Sequence, residues 1–143
     1  MTAYVLDAGV AAKWVLPPKD EPLAAESVRL LQRFAAGEVH LSVPDLFWPE
    51  IGNVLWRSVR LGRITEQSAY AAIDGFQTLG IRTTQARPLL RDAVTIAVGF
   101  ERSLYDAVYL ALAMASGRPL ITADERLINA GARLSVKWLG ALA

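Results

Sequence analysis

Short apolar runs alternating with stretches of helical spacing constrain this chain more than anything else in it. Five runs read as strands from their length and their β-branched and aromatic content: 3–6, 39–43, 81–84, 120–122 and 135–138. Between them lie helical stretches. One covers 8–15 and is stopped by Pro17 and Pro18. A second, amphipathic stretch spans 21–36, with Gly37 as its C-terminal stop. A third begins near Glu50 and runs to about Leu61. A fourth starts from Thr65 as an N-cap and ends at Leu79-Gly80. The remaining three are expected from Pro88 to about Val98, from Ser103 to about Gly117, and from Asp124 to about Ala130. Strands alternating with helices predict an α/β fold: a three-layer α/β/α sandwich around a mostly parallel five-stranded sheet. No linker or repeat interrupts the pattern, so one domain is expected over 1–143.

Composition narrows the function classes. With 53% hydrophobic and 20% charged residues the chain can bury a core and is not disordered. It has no cysteine, which removes disulfides, zinc–thiolate sites and thiol nucleophiles. No signal peptide or membrane-length apolar run is visible, so a cytoplasmic protein with no membrane association is expected. Lysine occurs only at 13, 19 and 137, and arginine carries the rest of the positive charge. Arginine pairs bidentately with phosphate, but the same bias also follows genomic base composition.

Four carboxylates stand where apolar segments break. Asp7 closes the first strand and Asp124 follows the fourth, while Glu50 and Asp106 open two strongly apolar helices. Each has a bland explanation: Asp7 and Asp124 as N-caps, Asp106 in a capping box with Ser103, Glu50 as a first-turn acid. Taken together they should emerge at one edge of a parallel sheet, where open α/β folds bind ligands. Two carboxylates about 4 Å apart repel by roughly 4 kcal/mol at an effective dielectric of ~20. A cluster of four either protonates in part or holds a cation. Oxygen ligands without His or Cys point to Mg²⁺ or Mn²⁺. Asn53 and Arg57, three and seven residues beyond Glu50, fall near its helix face, and Arg60 extends a basic stripe toward a phosphate backbone. A solvated helix face explains that stripe equally well.

The segments Val5-Leu6-Asp7-Ala8-Gly9-Val10, 44–55, 103–113 and 120–127 resemble, in order and spacing, the four acidic motifs of PIN-domain nucleases. The compact length resembles the VapC-type toxins of bacterial toxin–antitoxin pairs. The resemblance implies a five-stranded parallel sheet and a Mg²⁺- or Mn²⁺-dependent endoribonuclease. It further implies a homodimer inhibited by a small antitoxin, with RNA as substrate. By the same match Asp7, Glu50, Asp106 and Asp124 are the metal-site acids and Thr122 a polar helper. Gly9 departs from the Ser or Thr frequent at that position.

Other residues lead elsewhere. His40, the only histidine, alternates against Val39 and Leu41 and is expected in solvent, which counts against Ser/His/Asp hydrolysis. Among the tryptophans, Trp48 ahead of Glu50 is the candidate for stacking on a base. Two other functions compete. A phosphatase or receiver-like phosphoryl-transfer protein wants a second acid where Gly9 stands, or a lysine at a late strand end. A non-catalytic binding or dimerisation domain is disfavoured by retention of all four acids.

Overall fold

The computed structural model describes residues 1–130 and 135–142. Five strands, β1 (Thr2–Leu6), β2 (Val39–Pro44), β3 (Arg82–Thr84), β4 (Leu120–Thr122) and β5 (Val136–Trp138), form one sheet. Their order is β3-β2-β1-β4-β5, and every pairing is parallel. The first strand is therefore central, and the order reverses on either side of it. That reversal creates the crevice beyond the strand ends.

Among the described residues seven α-helices connect them: α1 (Ala8–Ala12), α2 (Ala24–Ala35), α3 (Phe47–Arg60), α4 (Glu66–Thr78), α5 (Leu90–Phe100), α6 (Leu104–Ser116) and α7 (Glu125–Ala130). Helix α6 packs across β1, β2 and β4 with α5 beside it, while α1 packs on α3 and α3 on α4. Both faces of the sheet are covered, so the inner strands bury nearly every residue: Val5, Leu6, Leu41, Val43, Leu120 and Ile121. Seven consecutive residues of α6, Ala107 to Ala113, are buried, which marks a helix enclosed on all sides. Phe47, Ile51 and Leu55 supply the inner stripe of α3. Burying each such large side chain contributes about 1.5–3 kcal/mol.

The expected elements are present, with shifts at their ends that have local causes. The second helix starts at Ala24, not Glu21. Glu21 precedes Pro22 and is extended, and Leu23 is left-handed at φ 59°, so a helix cannot pass through them. The first helix closes at Ala12 and the chain continues to Leu16 in tight turns. Helix α3 starts three residues ahead of Glu50, because Pro49 in the first turn needs no intrahelical donor. Residues 87–89 form a 3-10 turn before α5, and α5 runs past Val98 to Phe100. Thr65 and Ser103 cap α4 and α6 with their hydroxyls, and Gly117 ends α6 at φ 66°, a left-handed conformation that glycine adopts without strain.

Candidate active site

The site is built from the carboxyl ends of β1 and β4 and the first turns of α3 and α6. The Asp7 N–H donates to the Ile121 carbonyl at 3.2 Å, which keeps the ends of β1 and β4 level. The hydroxyl of Thr122, fully buried, donates to Asp7 Oδ2 at 2.7 Å and accepts from the Asp124 N–H at 3.1 Å. One side chain thus clasps two of the acids. Asp7 also caps α1, accepting from the Gly9 N–H over a long 3.4 Å. Asp106 is the third residue of α6, and its N–H donates to the Ser103 hydroxyl at 3.1 Å. Glu50, in the first turn of α3, keeps Oε1 buried without a hydrogen-bond partner. Asp124 turns toward Arg126, accepting from its backbone N–H at 2.9 Å and from its guanidinium at 3.2 and 3.1 Å.

These acids act on one another. Burial pushes the Asp7 carboxyl above its usual range, and the charges of Asp106 and Asp124 push it further. Burial raises Glu50, with Asp7 and Asp106 adding to the shift. Burial and the Asp124 charge raise Asp106. Asp124 alone is lowered, because Arg126 hydrogen-bonds it. Arg102 and Arg126 supply the positive charge nearest the cluster. Three of the four acids therefore resist ionisation beside their neighbours, and a divalent cation or protonation relieves that repulsion.

A metal ion fits the chemistry of this donor set: carboxylate oxygens with a neighbouring hydroxyl and no sulfur or imidazole suit a hard cation. Glu50 Oε1 is buried without a partner, so the fold leaves this carboxylate's polar demand unmet. Among the described residues, no three such side chains already surround a single ion position. Asp124 is held by Arg126, which is one reason the arrangement is open.

Each cap reading is also true in part. Asp7 and Asp124 accept from backbone N–H groups at the starts of their helices while contributing charge to the cluster. For Asp106 the cap is the Ser103 hydroxyl.

Asn53, Arg57 and Arg60 are exposed on α3. The Arg60 guanidinium lies over the Trp56 ring, 5.5 Å from its centroid. Trp48 is committed to the fold: its indole N–H donates to the Thr83 hydroxyl at 3.0 Å and its ring meets Phe47 edge-on. These contacts brace the approach to α3, and the ring stays partly exposed. His40 is exposed between buried Val39 and Leu41, as alternation requires.

Three residues at the site escaped the sequence reading: Tyr109, Arg102 and Arg126. Tyr109 was hidden inside an apolar run, although its position one turn after Asp106 carries the signal. Arg102 precedes the cap Ser103, and Arg126 is two residues past Asp124; neither spacing has a motif of its own.

A family model for the PIN domain matches residues 4–133. The chain belongs to the PIN-domain family. Ribonuclease VapC3 of Pyrobaculum aerophilum is 29% identical over 125 residues, which span 86% of this chain and 90% of that protein. The crystal structure of PAE2754 from Pyrobaculum aerophilum superposes with a TM-score of 0.73 at 24% identity, covering 99% of this chain and 86% of the other. VapBC2 from Rickettsia felis, solved bound to a DNA fragment from their promoter, gives a TM-score of 0.65 at 12% identity over 96% of this chain and 98% of the other. At those identities the two structures speak for the PIN fold: a parallel five-stranded sheet between helical layers.

Proposed function

We propose that this PIN domain, taken as one unit over 1–143, is a Mg²⁺- or Mn²⁺-dependent endoribonuclease and the toxin of a toxin–antitoxin pair. The observation that carries the reading is the clasp of Asp7 and Asp124 by the buried Thr122 hydroxyl at the carboxyl edge of the sheet, with Asp106 and the orphaned carboxylate of Glu50 acting on Asp7 and on each other. That arrangement costs stability in an isolated fold and has a use where a cation and a phosphate meet. The VapC ribonuclease relative supports RNA as the substrate.

In this reading the four acids would hold the ion, Thr122 fixes the direction of Asp7, and Asn53, Arg57 and Arg60 bind flanking phosphates. A divalent ion held there would supply positive charge to the phosphate oxygens and acidify water. The carboxylates orient the attacking water and take up its proton, and attack runs in line with the leaving oxygen. With the 3′ oxygen as the leaving group, attack by water leaves a 5′-phosphate and a 3′-hydroxyl, and no cyclic phosphate forms.

The partners follow from the same reading: a small antitoxin, supported by the likeness to VapBC2, and a second copy of the chain. Leu90, Val94 and Val98 lie exposed at spacings of four along α5 and offer a seam for that second copy. Among the described residues no helix is long and apolar enough to cross a membrane, and a cytoplasmic location is proposed.

The test is cleavage of linear and circular RNA by purified protein, with and without Mg²⁺, beside Asp7→Asn. Metal-dependent opening of the circle, lost in the variant, is the expected result. Cyclic-phosphate ends would overturn the water mechanism, and digestion of linear RNA alone would overturn endonuclease action.

A further inference from the structure

Glu50 has a neighbour whose polar group the proposed chemistry leaves unused. Tyr109 lies within the enclosed stretch of α6, one turn beyond Asp106, and its ring is buried. Its hydroxyl is buried too and has no hydrogen-bond partner. Across the interior, Glu50 Oε1 is in the same condition. The two groups are close enough that each perturbs the other's protonation, and Asp7 acts on the same hydroxyl.

A buried polar group left unpaired costs about 1–3 kcal/mol. Phenylalanine would fill the same space in α6 without that cost, so packing does not explain the hydroxyl. A phenol donates one hydrogen bond, and the polar groups acting on this hydroxyl are the Glu50 carboxylate, which can only accept, and the Ala8 backbone N–H, which can only donate. Two orphaned atoms of complementary type, on α3 and α6 and acting on each other, are the donor and acceptor of one hydrogen bond.

We propose that Tyr109 is a positioning residue: its hydroxyl donates to Glu50 Oε1 and holds that carboxylate so that the other oxygen faces the acidic edge. The proposal rests on the metal-dependent reading of the site, since a fixed carboxylate matters where an ion must be gripped. Tyr109 is not itself a ligand. Groups that orient metal ligands in this way typically change metal affinity 10–100-fold when removed.

The experiment is calorimetric titration of Mn²⁺ alone into metal-free wild type, Tyr109→Phe, Glu50→Gln and the double variant. Wild type should bind, and Tyr109→Phe should bind about 10–100-fold more weakly. In the Glu50→Gln background the second change should cost little further, because Tyr109 acts through Glu50. Thermal melts of the metal-free proteins should show Tyr109→Phe still unfolding cooperatively, with Tm lowered by no more than a few degrees because Glu50 Oε1 loses its donor. Equal affinity in Tyr109→Phe would overturn the proposal, as would equal fold-losses in both backgrounds. Loss of a cooperative melt in Tyr109→Phe would also overturn it by showing the hydroxyl to be structural. A wild type that binds no Mn²⁺ would overturn the metal reading itself, and the role of Tyr109 with it.

Discussion

Replacing Thr122 by valine keeps the shape of a fully buried side chain and removes two hydrogen bonds at once. One is the 2.7 Å bond to Asp7 Oδ2, the other the 3.1 Å bond from the Asp124 N–H. A hydrogen bond to a charged group contributes about 1.5–3 kcal/mol, and the orphaned N–H adds roughly 1 kcal/mol. The expected loss is about 2–4 kcal/mol. For a chain of this size that corresponds to a fall in Tm of roughly 6–16 °C. Thr122→Ser keeps both bonds and loses one buried methyl, about 1 kcal/mol. Melts followed by circular dichroism in metal-free buffer at neutral pH should therefore rank wild type above serine and serine above valine. The Thr122 bond favours the ionised form of Asp7. Its contribution is present where Asp7 is charged and fades as pH falls through the raised native pKa. The valine deficit should thus shrink in melts near pH 4. A valine variant as stable as wild type, or more stable than serine, would show that the methyl matters and the clasp does not.

Three further outcomes follow from the same site. Asp106→Asn should reduce RNA cleavage at least ~100-fold while leaving the metal-free Tm unchanged or higher, since a charge repelled by its neighbours is gone; a marked fall in Tm would return Asp106 to a capping role. Burial first, then mutual charge, raises Asp7, Glu50 and Asp106, so the metal-free protein should gain stability as pH falls from neutral toward their ordinary values of 3.8 and 4.5. Asp124, held low by Arg126, acts oppositely only below 3.8, and urea titrations at pH 7 and 5.5 that give equal stability would contradict the coupling. Val94→Glu, in the exposed seam of α5, should convert a dimer to a monomer in sedimentation analysis with little change in Tm, and an unchanged dimer would move the interface elsewhere.

The fold was legible because both faces of the sheet are covered. Runs such as Ala3-Tyr4-Val5-Leu6 and Pro119-Leu120-Ile121 are then nearly all apolar, and caps such as Thr65 and Ser103 announce the helices between the strands. Helix ends were less legible where a single backbone conformation decides. Pro22 carried the signal that Glu21 is extended, whereas the left-handed Leu23 has none. The four acids could be placed at one edge from sequence because strand ends and helix starts meet there in a parallel fold. Their unequal states could not. Asp124 differs from Asp106 because an arginine two residues on folds back upon it, and Glu50 differs because Tyr109, 59 positions away by its number, is brought beside it. Trp48 shows a tertiary partner that no spacing announces: its indole N–H is held by Thr83, 35 positions further along the chain.

The most direct measurement is anomalous diffraction from a crystal soaked in Mn²⁺. A single site or a close pair of sites among Asp7, Glu50, Asp106 and Asp124, with Thr122 still bonded to Asp7, is the expected result. Mn²⁺ bound elsewhere on the molecule, with these side chains pointing apart, would contradict it.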